Sequence, residues 1–305
     1  MELIARDIVI PHPRTEIKIV AMGCVQHGAA GCDERLAQFW YDYILRTPHA
    51  YVILGGDLVD SIHEKDRRYA EQEVAEWCLG TKANRAKWGS TLIDRQYRYA
   101  LKKWEPLAKA GKILWIHKGN HEEKLVATAS RDLTLDWCRA LKVPYAGLAA
   151  LSLLRVKHVK RRHESEARFS VSFFSQHGGG GAQSDGGIIN KAGGMLAAWD
   201  VDVALMWHLH RKTHLTRRML GITRSLRRAV RDRVGAVCGT FLDGHCEGVD
   251  SYAELKGYPP VVTGPLVIHI RQEDGFKTLL SDPGRATSFV RLWVSDAVRG
   301  GQDGV

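Results

Sequence analysis

The sequence predicts an α/β fold in which strands and helices form layers, and three observations support this. Short apolar runs, as expected of buried strands, alternate with longer segments whose apolar residues recur at helical spacing. Glycine-bearing polar loops follow several of the short runs, where a strand ends and the chain turns. The length of 305 residues, with 45% apolar and 26% charged side chains, suffices for a large core and is typical of globular proteins.

The predicted elements follow one another as strand, loop and helix. The predicted strands occupy residues 17–22, 51–54, 113–116, 169–174 and 201–206, with others near 234–241, 261–270 and 289–294. One predicted helix follows Asp33, a favoured N-cap residue, and others occupy residues 66–79, 92–110 and a long stretch up to 141. This alternation is typical of a layered α/β sheet.

Composition excludes several classes of protein. No apolar run approaches the roughly 18 residues of a membrane helix, and the first residues lack the layout of a signal peptide, so we expect a cytoplasmic protein that does not contact membranes. The six cysteines form no C-x-x-C pair, which argues against a disulfide framework or a zinc finger. We predict a single domain over residues 1–305, with a basic insertion or extension around 211–233 and a short flexible C-terminal tail.

Positive charge is concentrated in two segments. Of the formal net charge of +10, residues 155–168 contribute +4 and residues 211–233 contribute +8, so the remainder is slightly acidic. Concentrated positive charge favours a polyanionic partner such as nucleic acid. A solvated helix face has the same composition, and that alternative stays open.

Side chains that bind metals or transfer protons follow five predicted strands directly. In chain order these clusters are Cys24/Gln26/His27, Asp57/Asp60, Asn120/His121, His177 and His208/His210. If the strands are parallel, the five loops converge on one edge of the sheet, where α/β proteins form their ligand sites. Imidazole, carboxylate and amide donors together suit Mn²⁺, Fe²⁺, Ni²⁺ or Zn²⁺ better than Ca²⁺.

The order of these motifs resembles that of the calcineurin-like metallophosphoesterases. The matching motifs, all between residues 17 and 215, are Gly-Asp-x-x-Asp at 56–60, Gly-Asn-His-Glu at 119–122, His-Gly at 177–178 and x-His-x-His at 207–210. The resemblance implies a four-layer α/β/β/α sandwich with two mixed sheets and a dinuclear metal site at the carboxyl ends of the strands. It also implies hydrolysis of a phosphate ester by a metal-bound hydroxide, and the basic segments favour a phosphodiester, with nucleic acid among the candidate substrates.

The resemblance also assigns roles to individual residues. Asp57 would bridge the two metal ions, and the ions would be Mn, Fe, Zn or Ni. Asn120, His177 and His208 would complete the ligands of one ion, and His210 would help to hold the other. His121 would contact the substrate or protonate the leaving oxygen, oriented by Asp60. We further expect Arg211 and Lys212, which follow the last motif, to bind the substrate.

The first motif departs from the family pattern of Asp-x-His. With Gly23 and Gly28 in register, Cys24 takes the place of the aspartate and Gln26 that of the histidine; a slip of one residue makes His27 the histidine instead. We favour the first register because a thiolate is a competent ligand, and one that selects softer ions such as Zn²⁺ or Fe²⁺. The alternative is a weak or empty first site. The last motif also departs, since Trp207 stands where the family usually has glycine.

Three functions are therefore compatible with the sequence. The first is a metal-dependent phosphoesterase. The second is a one-metal or non-catalytic binding module that has kept the fold. The third is a nucleic-acid-binding protein with a vestigial metal site. The sequence does not determine the oligomeric state or the natural substrate.

Overall fold

The computed structural model describes residues 1–12, 14–62, 66, 69–158, 168–182, 184–222, 225–248, 251–274 and 288–296. Its strands are β1 (Glu2–Ile10), β2 (Ile17–Met22), β3 (Ala50–Leu54), β4 (Ile113–Ile116), β5 (Ala149–His158), β6 (Arg168–Gln176), β7 (Val203–Met206), β8 (Thr213–Ile222), β9 (Arg228–Val237), β10 (Leu266–Asp274) and β11 (Ser288–Asp296). Its helices are α1 (Glu34–Arg46), α2 (Lys82–Trp88), α3 (Leu92–Lys109), α4 (Asn120–Ala129), α5 (Leu133–Leu141), α6 (Asp185–Ala198) and α7 (Tyr252–Leu255).

The strands form two mixed sheets. The first sheet has the order β11-β10-β2-β3-β4, with β2, β3 and β4 parallel and β10 antiparallel to β2. The second sheet has the order β1-β5-β6-β7-β9-β8, with β6, β7 and β9 parallel and β8 antiparallel to β9. Parallel neighbours in both sheets bring the carboxyl ends of several strands together.

The main core lies between the two sheets. Side chains from the first sheet, such as Ile19 and Trp115, pack there with side chains from the second, such as Phe173 and Leu205. A second cluster joins the outer face of the first sheet to α1, α3 and α5, and smaller clusters join the second sheet to α6. The predicted four-layer α/β/β/α sandwich with two mixed sheets is therefore confirmed.

Local sequence explains where the helices begin and end. Asp33 caps α1 as predicted, because its carboxylate accepts the Leu36 N–H at 2.8 Å. The predicted long helix up to residue 141 is wrong, since the chain divides there into α4 and α5. Ser130 adopts a left-handed φ of 52° that ends α4, and the Asp132 carboxylate caps α5 through the Leu135 N–H at 2.9 Å.

Several other elements differ from the predictions. The predicted helix at 66–79 is replaced by two 3₁₀ turns, Glu71–Glu73 and Glu76–Cys78, while residues 63–65 and 67–68 lie outside the described residues. The sequence did not predict strands β1, β5 and β8 or helix α6. The basic segment 211–233 forms most of the β8–β9 hairpin, and the predicted tail at 300–305 lies outside the described residues. Within the described ranges, no helix is both long and apolar enough to cross a membrane.

The registers divide the sandwich into two ends. We call the end where β2, β3, β4, β6 and β7 finish the loop edge, and the opposite end the far end. In the β8–β9 hairpin, Thr213 pairs with Val237 near the loop edge, whereas Ile222 pairs with Arg228 at the far end. In the β5–β6 hairpin, Lys157 pairs with the backbone of Arg168, also at the far end. Among the described residues, β8 therefore carries the second basic segment away from the loop edge, and Lys157 and Arg168 of the first lie at the far end.

Trp207, the residue that departs from the family pattern, fills space beneath the loop edge. Its side chain is fully buried in the core between the sheets. Its indole lies directly against Gly23, after β2, and Gly55, after β3, so that a Cβ on either glycine would overlap the ring. These two loops approach each other because both residues that face the indole are glycine.

Replacing Gly55 with alanine is expected to destabilise the fold by about 1–3 kcal/mol, because the new methyl group overlaps the ring of the fully buried Trp207. Chemical denaturation measures this difference. The matched control is Gly194→Ala in α6, where the new Cβ meets nothing within 4 Å. That exchange should be neutral or stabilising by up to about 1 kcal/mol, as for alanine in a helix. Equal stability of the Gly55→Ala and Gly194→Ala proteins would contradict this packing.

Candidate metal centre

The loops that follow β2, β3, β4, β6 and β7 meet at the loop edge. They carry Cys24 and Gln26, Asp57 and Asp60, Asn120 and His121, His177, and His208 and His210 respectively. Backbone hydrogen bonds join neighbouring loops: the Cys24 N–H donates to the Gly56 carbonyl at 2.9 Å, and the Gln26 N–H donates to the Asp57 carbonyl at 3.0 Å. The site therefore combines three loops of the first sheet with two of the second.

The backbone at this site is held in unfavourable conformations. Five candidate residues have left-handed φ angles, namely Cys24 (47°), Gln26 (53°), Asp57 (49°), His208 (71°) and His210 (56°). Such angles are uncommon outside glycine and cost of order 1–3 kcal/mol each unless the surrounding structure compensates for them. A concentration of left-handed φ angles at one edge is typical of a functional site, where the required positions of the side chains impose conformations that the backbone disfavours.

One group of ligand-type atoms surrounds Asn120. His177 Nε2 lies 3.0 Å and His208 Nδ1 lies 2.8 Å from Asn120 Oδ1, and His177 Nε2 lies 3.2 Å from Asp57 Oδ2. His177 Nδ1 donates to the Gly55 carbonyl oxygen at 2.8 Å. Burial alone would lower the pKa of His177, but the charge and hydrogen bond of Asp57 outweigh it and raise that pKa, so Nε2 directs a proton towards these oxygens. A cation bound among these atoms would take the place of that proton.

A second group shares Asp57 with the first. Ligand atoms of Cys24, Asp57 and His210 lie within 4.8 Å of one another, as do those of Asp57, His177 and His208. Cys24 Sγ also accepts the His208 N–H at 3.3 Å. His27 belongs to a different group of residues, so the structure brings Cys24 rather than His27 to Asp57. Gln26 is buried beside Cys24.

The donor atoms of both groups fit divalent cations. Carboxylate and amide oxygens with imidazole nitrogens suit Mn²⁺, Fe²⁺, Ni²⁺ and Zn²⁺, and a cysteine sulfur adds preference for the softer members of that set. Asp57 is the residue common to both groups, and its carboxylate has two oxygens, so that it can offer one oxygen to a cation in each group. The side chains present therefore form candidate metal-binding groups.

Burial and neighbouring charges set the protonation of these ligands. Burial alone would raise the pKa of Asp57, but the charge and hydrogen bond of His177 outweigh it and lower that pKa, so Asp57 is a carboxylate. Burial, followed by the charge of Asp57, raises the pKa of the Cys24 thiol, which keeps its proton until a cation displaces it. Burial lowers the pKa of His210 to about 4, so its ring is neutral and has a lone pair to donate.

His121 lies beside the shared aspartate. Its backbone N–H donates to Asp57 Oδ1 at 2.9 Å, and its Nδ1–H donates to the carbonyl oxygen of Asp60 at 2.6 Å. The carboxylate of Asp60, which we expected to orient the ring, is farther away, with Oδ1 at 3.7 Å from Nδ1. The backbone of residue 60 is thus the nearer partner of His121, and Nε2 is the ring atom left to face a substrate.

Glu122 has a role that sequence reasoning missed. Its buried carboxylate accepts four backbone N–H groups: those of Asp57 at 2.9 Å, Leu58 at 2.6 Å, Val59 at 3.3 Å and Gly119 at 2.9 Å. The signal was present, because a glutamate at the third position of a helix that starts after glycine caps that helix. The hydrogen bonds of Glu122 to the loop after β3 could not be predicted from the sequence.

The two residues expected to bind substrate have other partners here. Arg211 forms an ion pair with Asp185 at 2.7 Å, and Lys212 Nζ donates to the Thr263 carbonyl at 3.1 Å. Lys191 on α6 donates to the Gly179 carbonyl at 3.3 Å, within a cleft that Gly178 and Met206 also line. Gln176 and Gly178, the chain neighbours of His177, both line this cleft.

Fold and donor set together define an α/β sandwich protein with a candidate metal centre at its loop edge. No protein-family model matches the chain, and no curated protein matches it. The solved crystal structure of Chaetomium thermophilum Vps29 aligns with 91% of this chain and 96% of its own at 10% sequence identity, with a TM-score of 0.29. A TM-score this low does not support a statement about function, and the fold described above follows from this chain's own sheets and helices.

Exchanging Glu122 for glutamine is expected to destabilise the protein by about 2–3 kcal/mol, because the amide replaces one acceptor oxygen with a donor that faces backbone N–H groups. Thermal or denaturant unfolding measures the loss. Glu123→Gln is the control on the same helical turn: Glu123 is partly exposed, and its partner Lys118 keeps a second ion pair with Asp132, so the exchange should change stability by less than about 1 kcal/mol. Similar losses in both variants would contradict the assigned role of Glu122.

Proposed function

We propose that this protein is a metal-dependent phosphoesterase of the calcineurin-like kind, which hydrolyses a phosphate ester at the loop edge. The observation that carries the proposal is that Asp57 belongs to both candidate ligand groups, with His121 directly beside it. The order of motifs in the sequence and the four-layer sandwich support the same class. The ligand sets proposed are Asp57, Asn120, His177 and His208 for one ion, and Asp57, Cys24, Gln26 and His210 for the other.

Divalent ions held by these residues would supply Lewis-acid stabilisation of a phosphoryl group and would lower the pKa of bound water. The residues of this chain have separate tasks. The carbonyl of Asp60 fixes the His121 ring through Nδ1, so that Nε2 gives a proton to the departing ester oxygen and later takes it back from solvent. The Glu122 carboxylate accepts backbone N–H groups from Asp57 and from Gly119. These hydrogen bonds hold Asp57 in a fixed position relative to the start of α4, which carries Asn120 and His121.

The competing function is a non-catalytic or one-metal binding module, for which Cys24 and Gln26 are the main argument. It predicts a folded protein that binds one ion or none and turns over neither phosphomonoesters nor phosphodiesters with any divalent ion. The arrangement of His121 favours the enzyme, because a binding module gains nothing from an imidazole held beside the shared aspartate. Metal content per chain and hydrolysis of generic mono- and diesters separate the two functions and also determine the ester class.

In a hydrolysis assay with added Mn²⁺, His121→Ala should lower kcat by about 10²–10⁴-fold, as for loss of a general acid. Asp60→Asn should lower it far less, because the carbonyl that holds the ring is part of the backbone and survives the exchange. His214→Ala, an exposed histidine on β8, is the control and should match the unmodified protein. Equal losses for Asp60→Asn and His121→Ala would show that the carboxylate orients the ring.

Nucleic-acid binding by the basic segments is a second proposal. The observation that favours it is that Lys157 and Arg228 lie at the far end of the second sheet and Arg217 lies midway along β8. A polyanion held there would lie away from the loop edge, so binding and hydrolysis are separable properties in this proposal.

Arg217→Gln combined with Arg228→Gln should weaken binding to DNA or RNA. The slope of log affinity against log salt should become shallower by about 0.9 for each phosphate that the variant no longer neutralises. Asp57→Asn should leave that binding unchanged. Arg35→Gln with Lys82→Gln, two exposed basic residues on other elements, is the charge-matched control. Absence of binding at low salt, or equal weakening by the control pair, would contradict this proposal.

A further inference from the structure

Outside the candidate centre, three side chains with metal-binding atoms converge on the loop between β2 and α1. His27 Nδ1 lies 2.9 Å from Glu34 Oε2, and Cys32 Sγ lies 3.9 Å from His27 Nδ1. Ligand atoms of all three residues lie within 4.8 Å of one another. The group differs from the candidate centre in every member.

The loop holds these residues rigidly. His27 is fully buried, with its ring against those of Tyr41 and Tyr99. Backbone bonds from the Cys32 N–H to Ala29 and from the Ala29 N–H to Gln26 fix the turn between them. Glu34 is the first residue of α1, whose start is capped by the Asp33 carboxylate. The three ligand atoms are therefore positioned by a closed turn and a capped helix.

The second neighbours suit a metal-bound imidazole. His27 Nε2 lies 2.9 Å from the Tyr41 hydroxyl, which also accepts the Trp104 indole N–H at 3.1 Å. A histidine that binds a metal through one ring nitrogen is usually held through the other in this way. The Tyr99 hydroxyl donates to Glu34 Oε2 at 3.0 Å and orients that carboxylate.

The surroundings of the group favour a cation. Within the part of the chain that the structure describes, Glu34 Oε1 is buried and has no hydrogen-bond partner. Burial, followed by the charge of Glu34, raises the pKa of the Cys32 thiol, and the charges of Asp33 and Asp60 act in the same direction. A cation bound here would replace the thiol proton, which passes to solvent, and would partner the orphan oxygen.

We infer that His27 Nδ1, Cys32 Sγ and the Glu34 carboxylate form a separate binding site for a Zn²⁺-like ion. Sulfur, nitrogen and oxygen donors in one small group are typical of zinc ligation, and Cys32 and Glu34 are partly exposed, which leaves a fourth position for water. On binding, the ion replaces the protons on Sγ and Nδ1, and the imidazole proton moves to Nε2 to face Tyr41. Because the His27 carbonyl accepts the Asp60 N–H at 3.1 Å, the ion would also brace the loop next to His121.

The test uses Co²⁺ in place of Zn²⁺, because a thiolate bound to Co²⁺ has a near-ultraviolet charge-transfer band. Cys24 in the candidate centre can give the same band, so the full-length Cys24→Ser protein is the background. We expect this background to retain the band on titration with Co²⁺. The band should disappear in Cys24→Ser/Cys32→Ser and persist in the control Cys24→Ser/Cys138→Ser, which alters a buried cysteine beside Pro144.

A second measurement keeps the inference testable if a double variant folds poorly. After loading with Zn²⁺ and dialysis, Cys32→Ser and Glu34→Gln should each hold one ion fewer per chain than the unmodified protein. Absence of the cobalt band in the Cys24→Ser background, together with unchanged zinc content in Cys32→Ser, would overturn the inference and leave His27 and Glu34 as a hydrogen-bonded pair. Neither readout depends on hydrolysis, so this site and the proposed phosphoesterase centre can fail independently.

Discussion

The structure of the loop edge depends on the carboxylate of Glu122. Four backbone N–H groups converge on its two oxygens, three from the loop after β3 and one from the start of α4. Each of those donors would otherwise be buried without a partner, at a cost of about 1–3 kcal/mol. A single side chain thus satisfies two loops at once and fixes the distance between Asp57 on one and Asn120 on the other.

With the loops fixed, the protonation of the site residues follows from the close packing of charged and polar groups. Asp57 is surrounded by imidazoles and peptide donors that keep it ionised, while the buried Cys24 thiol and the partly buried His210 ring are neutral. The left-handed backbone at all three residues is the strain that such crowding requires. The site is therefore preorganised by the protein alone, and its candidate ligand residues differ in how readily they would exchange a proton for a cation.

The layers and the convergence of five loops could be predicted from the sequence, because strand periodicity is a local pattern and parallel neighbours end at the same edge of a sheet. Features that depend on which distant segments contact each other could not be predicted. Neither the far-end position of Arg228 nor the preference of His121 for the carbonyl of Asp60 can be read from composition or spacing. Likewise, the break between α4 and α5 depends on Ser130, a residue without a strong intrinsic preference for the left-handed conformation.

The indole of Trp207 also limits how this chain can change. Its ring nitrogen is buried and has no hydrogen-bond partner among the described residues, so the indole contributes by filling space and not by hydrogen bonding. A glycine at position 207 would leave an indole-sized void beneath the ligands, and a side chain at Gly23 or Gly55 needs that void to exist first. Trp207 must therefore be replaced by a smaller residue before Gly23 or Gly55 can gain a side chain, and the intermediate protein contains a cavity. Substitutions at the three positions are coupled for this reason, in evolution and in engineering alike.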